Sequence, residues 1–593
     1  MRRTWTWHFD LSPERLWPVL ADTNRFNEAM GLPPYALEET PQPNGTVLRR
    51  GKGKVAGFTL EWEEKPYEWI HGRHFRQRRL FSKGPFRSFG PVFDLEPEGS
   101  GSKVTYSLEW EPLTIVGRVF GKRLAKQAGE AIEKRILTAV DFIKGGRPTM
   151  FDLPPPVLPE GGRTRAVAAA EHVDRSTYGN GLGAPIADHV MNGMASDLVH
   201  LKPKLLANQL GVAQRPAIEA CLASVKAGLL TMKWDLLCTN CRGPKLSAMA
   251  LSDLPRGAHC QSCNIDYERD FERNVELSFS PAPTIRPLLE GGYCLSGPMS
   301  TPHVAVQLLL KPGERRSVAI DLPPGSYRLR TQHPGSYADI EHAGGAFPGV
   351  RATASGVEAL PAEAAGRIAL ANDAGFEVAV LVEDRSWTRE ALTVPEVVSL
   401  QAFRDMFAEA TLRPGDEAAV GQVALLFSDL RGSTALYERV GDSVAYNIVR
   451  DHFAFLASIV RDHGGAIVKT IGDAVMASFG DPADAVKAAL AMQRRIVEFN
   501  QAHDNHRDLS IKLGVHSGGS IMVNLNERLD YFGSTVNMAA RLQGQSQGDD
   551  IVLSRAVADD PAVKPLLEGV EAREESVMLK GFDRPVGFVR LLP

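Results

Sequence analysis

No apolar run in this chain approaches the ~20 residues a helix needs to cross a bilayer. The longest, Val304 to Leu310 around Gln307 and Val378 to Val382, are of strand length, so no membrane span is expected. The opening Met1-Arg2-Arg3-Thr4-Trp5-Thr6-Trp7-His8-Phe9 lacks the apolar stretch of a signal peptide, and export is not expected either. Cysteine is scarce, six in 593 residues, too few for a disulfide scaffold, and four of the six fall in two Cys-x-x-Cys pairs. Both features point to a reducing, cytoplasmic setting. An excess of one charge is missing as well: 67 Lys and Arg against 71 Asp and Glu leave −4, which excludes a global field for nucleic acid or an anionic membrane. What is present is an ordinary globular balance, 44% hydrophobic and 23% charged. At roughly 150 residues per domain the length calls for about four domains.

Residues 1–145 open with Trp5, Trp7 and Phe9 in strand alternation, then Ser12-Pro13-Glu14, a helix start with Pro in its first turn. Alternation returns at Phe58, Leu60, Trp62 and at Val104, Tyr106, Leu108, Trp110. Between Arg118 and Ile143 the period turns helical, with Leu124, Ala128, Ile132, Ile136, Val140 and Ile143 on one stripe. This order of strand, short helices, antiparallel strands and one long last helix resembles the START/polyketide-cyclase superfamily. The resemblance implies a helix-grip fold around an apolar cavity, with an apolar small molecule or lipid as ligand; a packed structural module is the alternative. Within it Arg73, His74, Arg76, Arg78, Arg79, Lys83 and Arg87 interleave with Phe75, Phe81 and Phe86. A solvated strand face with its aromatics turned inward accounts for that stretch better than an anion or nucleic-acid site.

Residues 146–183 are rich in Pro and Gly at their start and read as a linker. A helical, winged-helix-like region follows over 184–236, with Leu205 to Gly211 and then Ala217 to Leu230 as helix, glycine turn, helix. The second helix offers Lys226 against Glu219, not the basic face of a DNA reader, so packing or dimer contact is expected and nucleic acid is not. Over 237–275, Cys238-x-x-Cys241 and Cys260-x-x-Cys263 stand 18 residues apart, the spacing of a zinc ribbon. Four thiolates fill a tetrahedron and leave no position for water, so the expected Zn²⁺ is structural. Cys221 and Cys294 read as small core residues. Strand signals between turns such as Lys311-Pro312-Gly313-Glu314 predict an antiparallel β module over 276–390. Over 391–419, Val397, Leu400, Phe403 and Phe407 fall on one side of a helix directly before the last domain, a position suited to coupling.

The chemistry gathers in residues 420–593. A buried-strand run, Val423 to Phe427, leads into Ser428-Asp429-Leu430-Arg431-Gly432-Ser433-Thr434. A carboxylate at a strand end beside a helix start suits a metal and a phosphate, although a helix cap reads the same way. Ala466 to Phe479 reads as two strands turning at Gly472-Asp473. Two acids at two strand ends are what a pair of Mg²⁺ ions on a triphosphate requires. In the third segment, Asp530 to Leu542, Asn537 and Arg541 stand four apart on one helix face, suited to a ribose and a phosphoryl group or merely to solvent.

Together these segments resemble the class III nucleotidyl cyclases: Phe427-x-Asp429-x-x-Gly432-x-Thr434, Lys469-x-x-Gly472-Asp473, and Asp530 followed by Gly533-x-x-Val536-Asn537-x-Ala539-x-Arg541, in the family's order over about 115 residues. The resemblance implies a ferredoxin-like α/β domain and a multidomain α+β chain. It implies two Mg²⁺ or Mn²⁺ ions per site on Asp429 and Asp473, purine reading by Lys469 and Asp530, ribose orientation by Asn537 and charge stabilisation by Arg541. Gly432, Ser433 and Thr434 would line the phosphates, with Lys580 near the terminal ones. It places each site between two catalytic domains, hence a homodimer. An ammonium and a carboxylate complement adenine's ring nitrogen and amine, so ATP is the expected substrate. Ser433 departs from the family, where many members have Phe, and is expected to alter local packing only. The expected activity is conversion of ATP to cyclic AMP and diphosphate, regulated by the N-terminal domains. The rivals are a guanylate cyclase, a non-catalytic nucleotide- or lipid-sensing protein, and a DNA-binding regulator.

Overall fold

The computed structural model describes residues 1–593 except 33–36, 56–57, 148, 272, 289–296, 387–389, 412–416, 503–508 and 526–527. Cys294 lies outside the described residues.

At the N-terminus the strand Arg2–Phe9 pairs antiparallel with Gly101–Pro112. The alternation in the latter buries Val104, Tyr106, Leu108 and Trp110. The long helix Ile115–Ile143, started by Thr114 accepting from Gly117 N–H at 3.0 Å, lays Ala125, Ile136, Ala139 and Val140 into the same core. Rings fill that core: Trp17 is 1% exposed, and Phe75 stacks on Phe93 with centroids 4.9 Å apart. The basic stretch is engaged in ion pairs along the sheet, Arg76 with Glu109 at 2.8 Å and Arg79 with Glu64 at 3.1 Å, while Phe75 and Phe86 are buried.

Three expectations need correction. Residues 1–145 and 276–390 do not form separate sheets: Val306 pairs with Ile70 and Gln307 with Trp69, so one sheet of 13 strands runs through both. Trp69 Nε1 donates to Val304 O at 2.7 Å across the seam, and no local pattern encodes such a pairing between segments more than 230 residues apart. The span 146–183 is not a linker throughout, because Gly162–Arg175 is a helix burying Ala166, Ala169, Ala170 and Val173 at helical spacing. The prolines just before it obscured that period. The helical region over 184–236 stops at Lys226, and Leu230–Leu237 is a strand whose Trp234 is 1% exposed.

The expected helix, turn, helix exists as Pro203–Leu210 and Gln214–Lys226, with Gly211 at φ +66° closing the first. The second helix buries every residue from Ala217 to Ser224, so it has no free face for a nucleic-acid groove. Cys221 is 0% exposed and its thiol is pushed up to about 12 by burial, as a core residue's should be.

The predicted coupling segment is two helices, Val394–Val398 and Gln401–Thr411. Thr393 and Glu396 form a capping box at the start of the first. Val397, Leu400, Phe403 and Phe407 are all buried as their spacing predicts, Phe403 edge-on to Trp234 with centroids 6.1 Å apart. A ring buried like Phe403 is worth about 3–5 kcal/mol against Ala, enough to hold this helix to the middle region.

Beyond it stands another large sheet. The first four strands of the domain, Glu417–Leu430, Ala466–Ile471, Ala474–Phe479 and Ile511–Leu525, lie in the order second, third, first, fourth, all antiparallel. With the helices Asp442–Asp462 and Pro482–Ala502 this is the βαββαβ, ferredoxin-like arrangement. Alternation along the central strand sends Ala424, Leu426 and Leu430 to the core under those helices, and Val423, Leu425 and Phe427 to the opposite face. That opposite face shares a core with the helix Gln401–Thr411 and the middle region. Among the described residues no helix is long and apolar enough to cross a membrane.

Candidate active site

The central strand ends beside its partners' turns, and its last polar residue gives the site its first acid. Asp429 stands opposite Lys512 in the ladder. Asp473 occupies the turn between Ile471 and Ala474, where Gly472 takes φ +63°, a value a side chain resists. The two carboxyls are neighbours: burial and Asp473 push the Asp429 carboxyl up, against the Lys512 ammonium and the Gln543 side chain. Asp473 Oδ2 is buried and meets no hydrogen-bond partner among the described residues. Two adjacent carboxylates with a bare buried oxygen are the donor set of a hard divalent cation, so the pair fits Mg²⁺ or Mn²⁺. Lys512 and Gln543 were not foreseen, since a strand pairing brings the first to Asp429 and a helix from a later segment brings the second.

The second cluster lies on two sheet edges. Lys469 Nζ and Asp530 Oδ2 are 2.6 Å apart, and Asp530 Oδ1 accepts from its neighbour's amide, Tyr531 N, at 2.8 Å. Lys469 is on the edge strand Ala466–Ile471; Asp530 is on Arg528–Phe532, which among the described residues pairs only with Ile511–Leu525. In the edge ladder Ile467 faces Ala477 but Lys469 faces Met476, so Val468 is an extra residue, a β-bulge. Bulges re-aim side chains, and this one turns Lys469 toward Asp530.

The third element is the helix Ser534–Gln543, entered through Gly533 at φ +134°. It buries Thr535, Ala539 and Leu542 and exposes Ser534, Asn537 and Arg541. Asn537 and Arg541 thus share an open face. Gln543 reaches Asp429 from the same helix. Arg541 stands two positions before Gln543, about 200° around the helix, so it does not share the face that meets Asp429.

The other predicted residues are less gathered. Gly432 takes φ +73° and precedes the helix Ser433–Val440, which has no side-chain cap, so backbone N–H groups at its start are available. Thr434 begins that helix beside Ser433, which is partly buried. Lys580 is exposed, one residue past Leu579, which packs in one cluster with Leu542.

Away from this site the four predicted cysteines meet. The sulfurs of Cys238, Cys241, Cys260 and Cys263 lie within 4.8 Å of one another, with Cys241 and Cys260 3.9 Å apart. Tetrahedral thiolates at about 2.3 Å from a zinc ion are about 3.8 Å from each other, so the cluster fits Zn²⁺. Burial would lower the Lys245 ammonium, yet the surrounding sulfurs hold it above its usual range, and it balances their charge.

Residues 416–583 match the adenylate and guanylate cyclase catalytic domain family, and 167–290 match a family of unknown function (DUF5939). An adenylate cyclase of Mycosarcoma maydis is 32% identical over 157 residues, 23% of this chain and 6% of that protein. An adenylate cyclase of Anabaena cylindrica is 28% identical over 183 residues, 28% of this chain and 36% of that protein. Among solved structures, the adenylyl cyclase CyaB from P. aeruginosa is 25% identical, covering 30% of this chain and 96% of that one, with a TM-score of 0.28. The chain spans well under half the length of these two curated relatives. The C-terminal part of the chain is an adenylate and guanylate cyclase catalytic domain. Neither family description names a START-like domain or a zinc ribbon, and the match at 167–290 spans the four cysteines.

Proposed function

We propose that the chain is a homodimeric adenylate cyclase of the cytoplasm, converting ATP to 3′,5′-cyclic AMP and diphosphate. The observation that carries this is the Lys469–Asp530 pair, an ammonium donor and a carboxylate acceptor 2.6 Å apart on two neighbouring edges. Opened around a purine, the pair offers a donor to adenine's ring nitrogen and an acceptor to its amine, and guanine would leave both mismatched. In the reaction the ribose 3′-oxygen bonds to the α-phosphorus as the bond to the bridging β-phosphate oxygen breaks, releasing diphosphate and the hydroxyl proton. Asp429 and Asp473 would hold the divalent cations. When bound, those cations neutralise the triphosphate and acidify the 3′-hydroxyl. Asn537 orients the ribose, and Arg541, a fixed guanidinium, meets charge developing on the α-phosphate. Gly432, Ser433 and Thr434 offer backbone donors to the phosphates, and Lys580 supplies a further cation.

Because Arg541 and Asn537 do not share the helix face from which Gln543 meets Asp429, the reading assigns each site to two copies of the domain. Zn²⁺ on the four cysteines is structural in this reading, in a ribbon-like fold. The START-like resemblance supports a sensing role for residues 1–145, but the ring-filled interior gives no support to an apolar ligand there. The test is product formation by the purified chain from ATP and from GTP with Mg²⁺ or Mn²⁺. We expect kcat/KM for ATP to exceed that for GTP by about 100-fold or more. A preference for GTP would move the reading to a guanylate cyclase, and no product from either would end it.

A further inference from the structure

The base-reading pair is gripped from behind by one helix, and the grip uses polar groups where a core helix would use apolar ones. Arg404 of Gln401–Thr411 is 9% exposed. Its Nε donates to Val398 O and its Nη1 to Leu529 O, each at 2.7 Å, and its guanidinium lies over the Tyr531 ring, 5.1 Å from the centroid. Leu529 and Tyr531 bracket Asp530. One turn earlier, Gln401 Oε1 accepts from Ile467 N at 2.8 Å. Ile467 is the last paired residue before the bulge that aims Lys469. An outward N–H on an edge strand needs a partner, and Gln401 is the one it has.

Packing does not explain this choice. Arg404 Nη2 is buried without a partner among the described residues, and a buried cation left partly unsatisfied costs stability that a Leu or Met at this position would not. The other side of the helix is anchored to the middle region: Phe403 on Trp234, and Lys226 Nζ 4.8 Å above the Phe407 ring. A polar relay joins the two sides, because Gln401 Nε2 donates to Asp405 Oδ1 at 2.7 Å and Tyr178 O–H donates to Asp405 Oδ2.

We infer that Gln401 and Arg404 are positioning residues for base recognition: they fix the two edge strands so that Lys469 and Asp530 meet one purine, and Tyr178 reports the middle region's state to Gln401 through Asp405. The inference rests on the reading of Lys469 and Asp530 as the base-contacting pair. Neither residue touches the reacting atoms, so removing one should blunt selection of the base and spare the chemical step.

The experiment compares Q401A, R404K and the milder Y178F with the wild type, all full length, measuring kcat and KM for ATP and GTP with Mn²⁺. For Q401A and R404K we expect KM for ATP to rise about tenfold with kcat within about twofold, KM for GTP to stay within about twofold, and the ATP preference to fall about tenfold. For Y178F, which deletes one hydroxyl from a half-exposed side chain, we expect a rise of about two- to threefold in KM for ATP alone. A merely structural role would lower kcat or shift both nucleotides together, and either result overturns the inference. So does an unmoved KM for ATP in all three. If the wild type turns over neither nucleotide, the reading of the site fails and takes this inference with it, whereas turnover with an unmoved KM sinks the inference alone.

Discussion

Asp473→Ala and Asp429→Ala are each expected to lower cyclic-nucleotide formation by about 1,000-fold or more without lowering the thermal transition. The two effects separate because of what the carboxylates do to each other. Burial and Asp473 together push the Asp429 carboxyl up, so the folded protein without a cation carries an unfavourable pair there. Deleting one member relieves that repulsion and leaves the strand pairing of residues 417–430 with 511–525 intact. A protein whose transition holds or rises while turnover vanishes has lost a metal ligand and not its fold.

The same variants test where the second half of the site comes from. Arg541 shares its helix with Gln543, which faces Asp429, and the helical phase turns Arg541 the other way. Mixing Asp473→Ala with Arg541→Ala chains should therefore rebuild one intact site per mixed dimer. Random pairing makes about half the dimers mixed, so activity should return to about a quarter of the wild-type level. Differentially tagged dimers that form and stay inactive would refute the shared site.

How much of this was legible in the sequence depends on how far apart the partners lie. Asp429 with Gly432, Lys469 with Asp473, and Asn537 with Arg541 each sit within a few positions, at strand ends or on one helix face, where local periodicity fixes geometry. The burial of Val397, Leu400, Phe403 and Phe407 was legible for the same reason, but the break that divides their segment into Val394–Val398 and Gln401–Thr411 was not. Lys512 beside Asp429, Gln401 on Ile467 N and Arg404 on Leu529 O were not, because each contact exists only once distant strands have paired. The shared sheet escaped for the same reason at larger scale: Val304 to Leu310 reads equally well as a strand of its own module or of another's. The helix Gly162–Arg175 was missed differently, its small apolar residues giving a weak stripe just after a proline-rich stretch.

The cysteine cluster leads to the second large effect. Loss of the zinc proposed for it is expected to lower the thermal transition by more than about 10 °C, because metal binding at structural sites is folding free energy. The two knuckles are where separate parts of the chain attach. The first is held by Arg242, whose guanidinium donates to Asp384 O at 2.7 Å and Ser386 O at 2.9 Å, and by His303 Nε2 at 2.9 Å from Asn240 O. On the second, Ser262 O accepts from Arg49 Nη2 at 2.8 Å and Ser262 Oγ donates to Glu39 Oε2 at 2.9 Å. The four sulfurs therefore join a loop fastened to the long sheet's Val378–Asp384 strand and its neighbouring turn with one fastened to the N-terminal strands. Without a cation they are buried thiols with little to hold them at this separation, far beyond a disulfide's length of about 2 Å. Chelation, or Cys238→Ser, should free both knuckles, and hydrogen exchange should rise at 238–243 and 260–264 before it rises in the C-terminal sheet. Metal analysis of protein purified under reducing conditions should find one equivalent of zinc per chain. A metal-free protein with the same transition temperature as the zinc-loaded one would show that the sulfurs meet for packing alone.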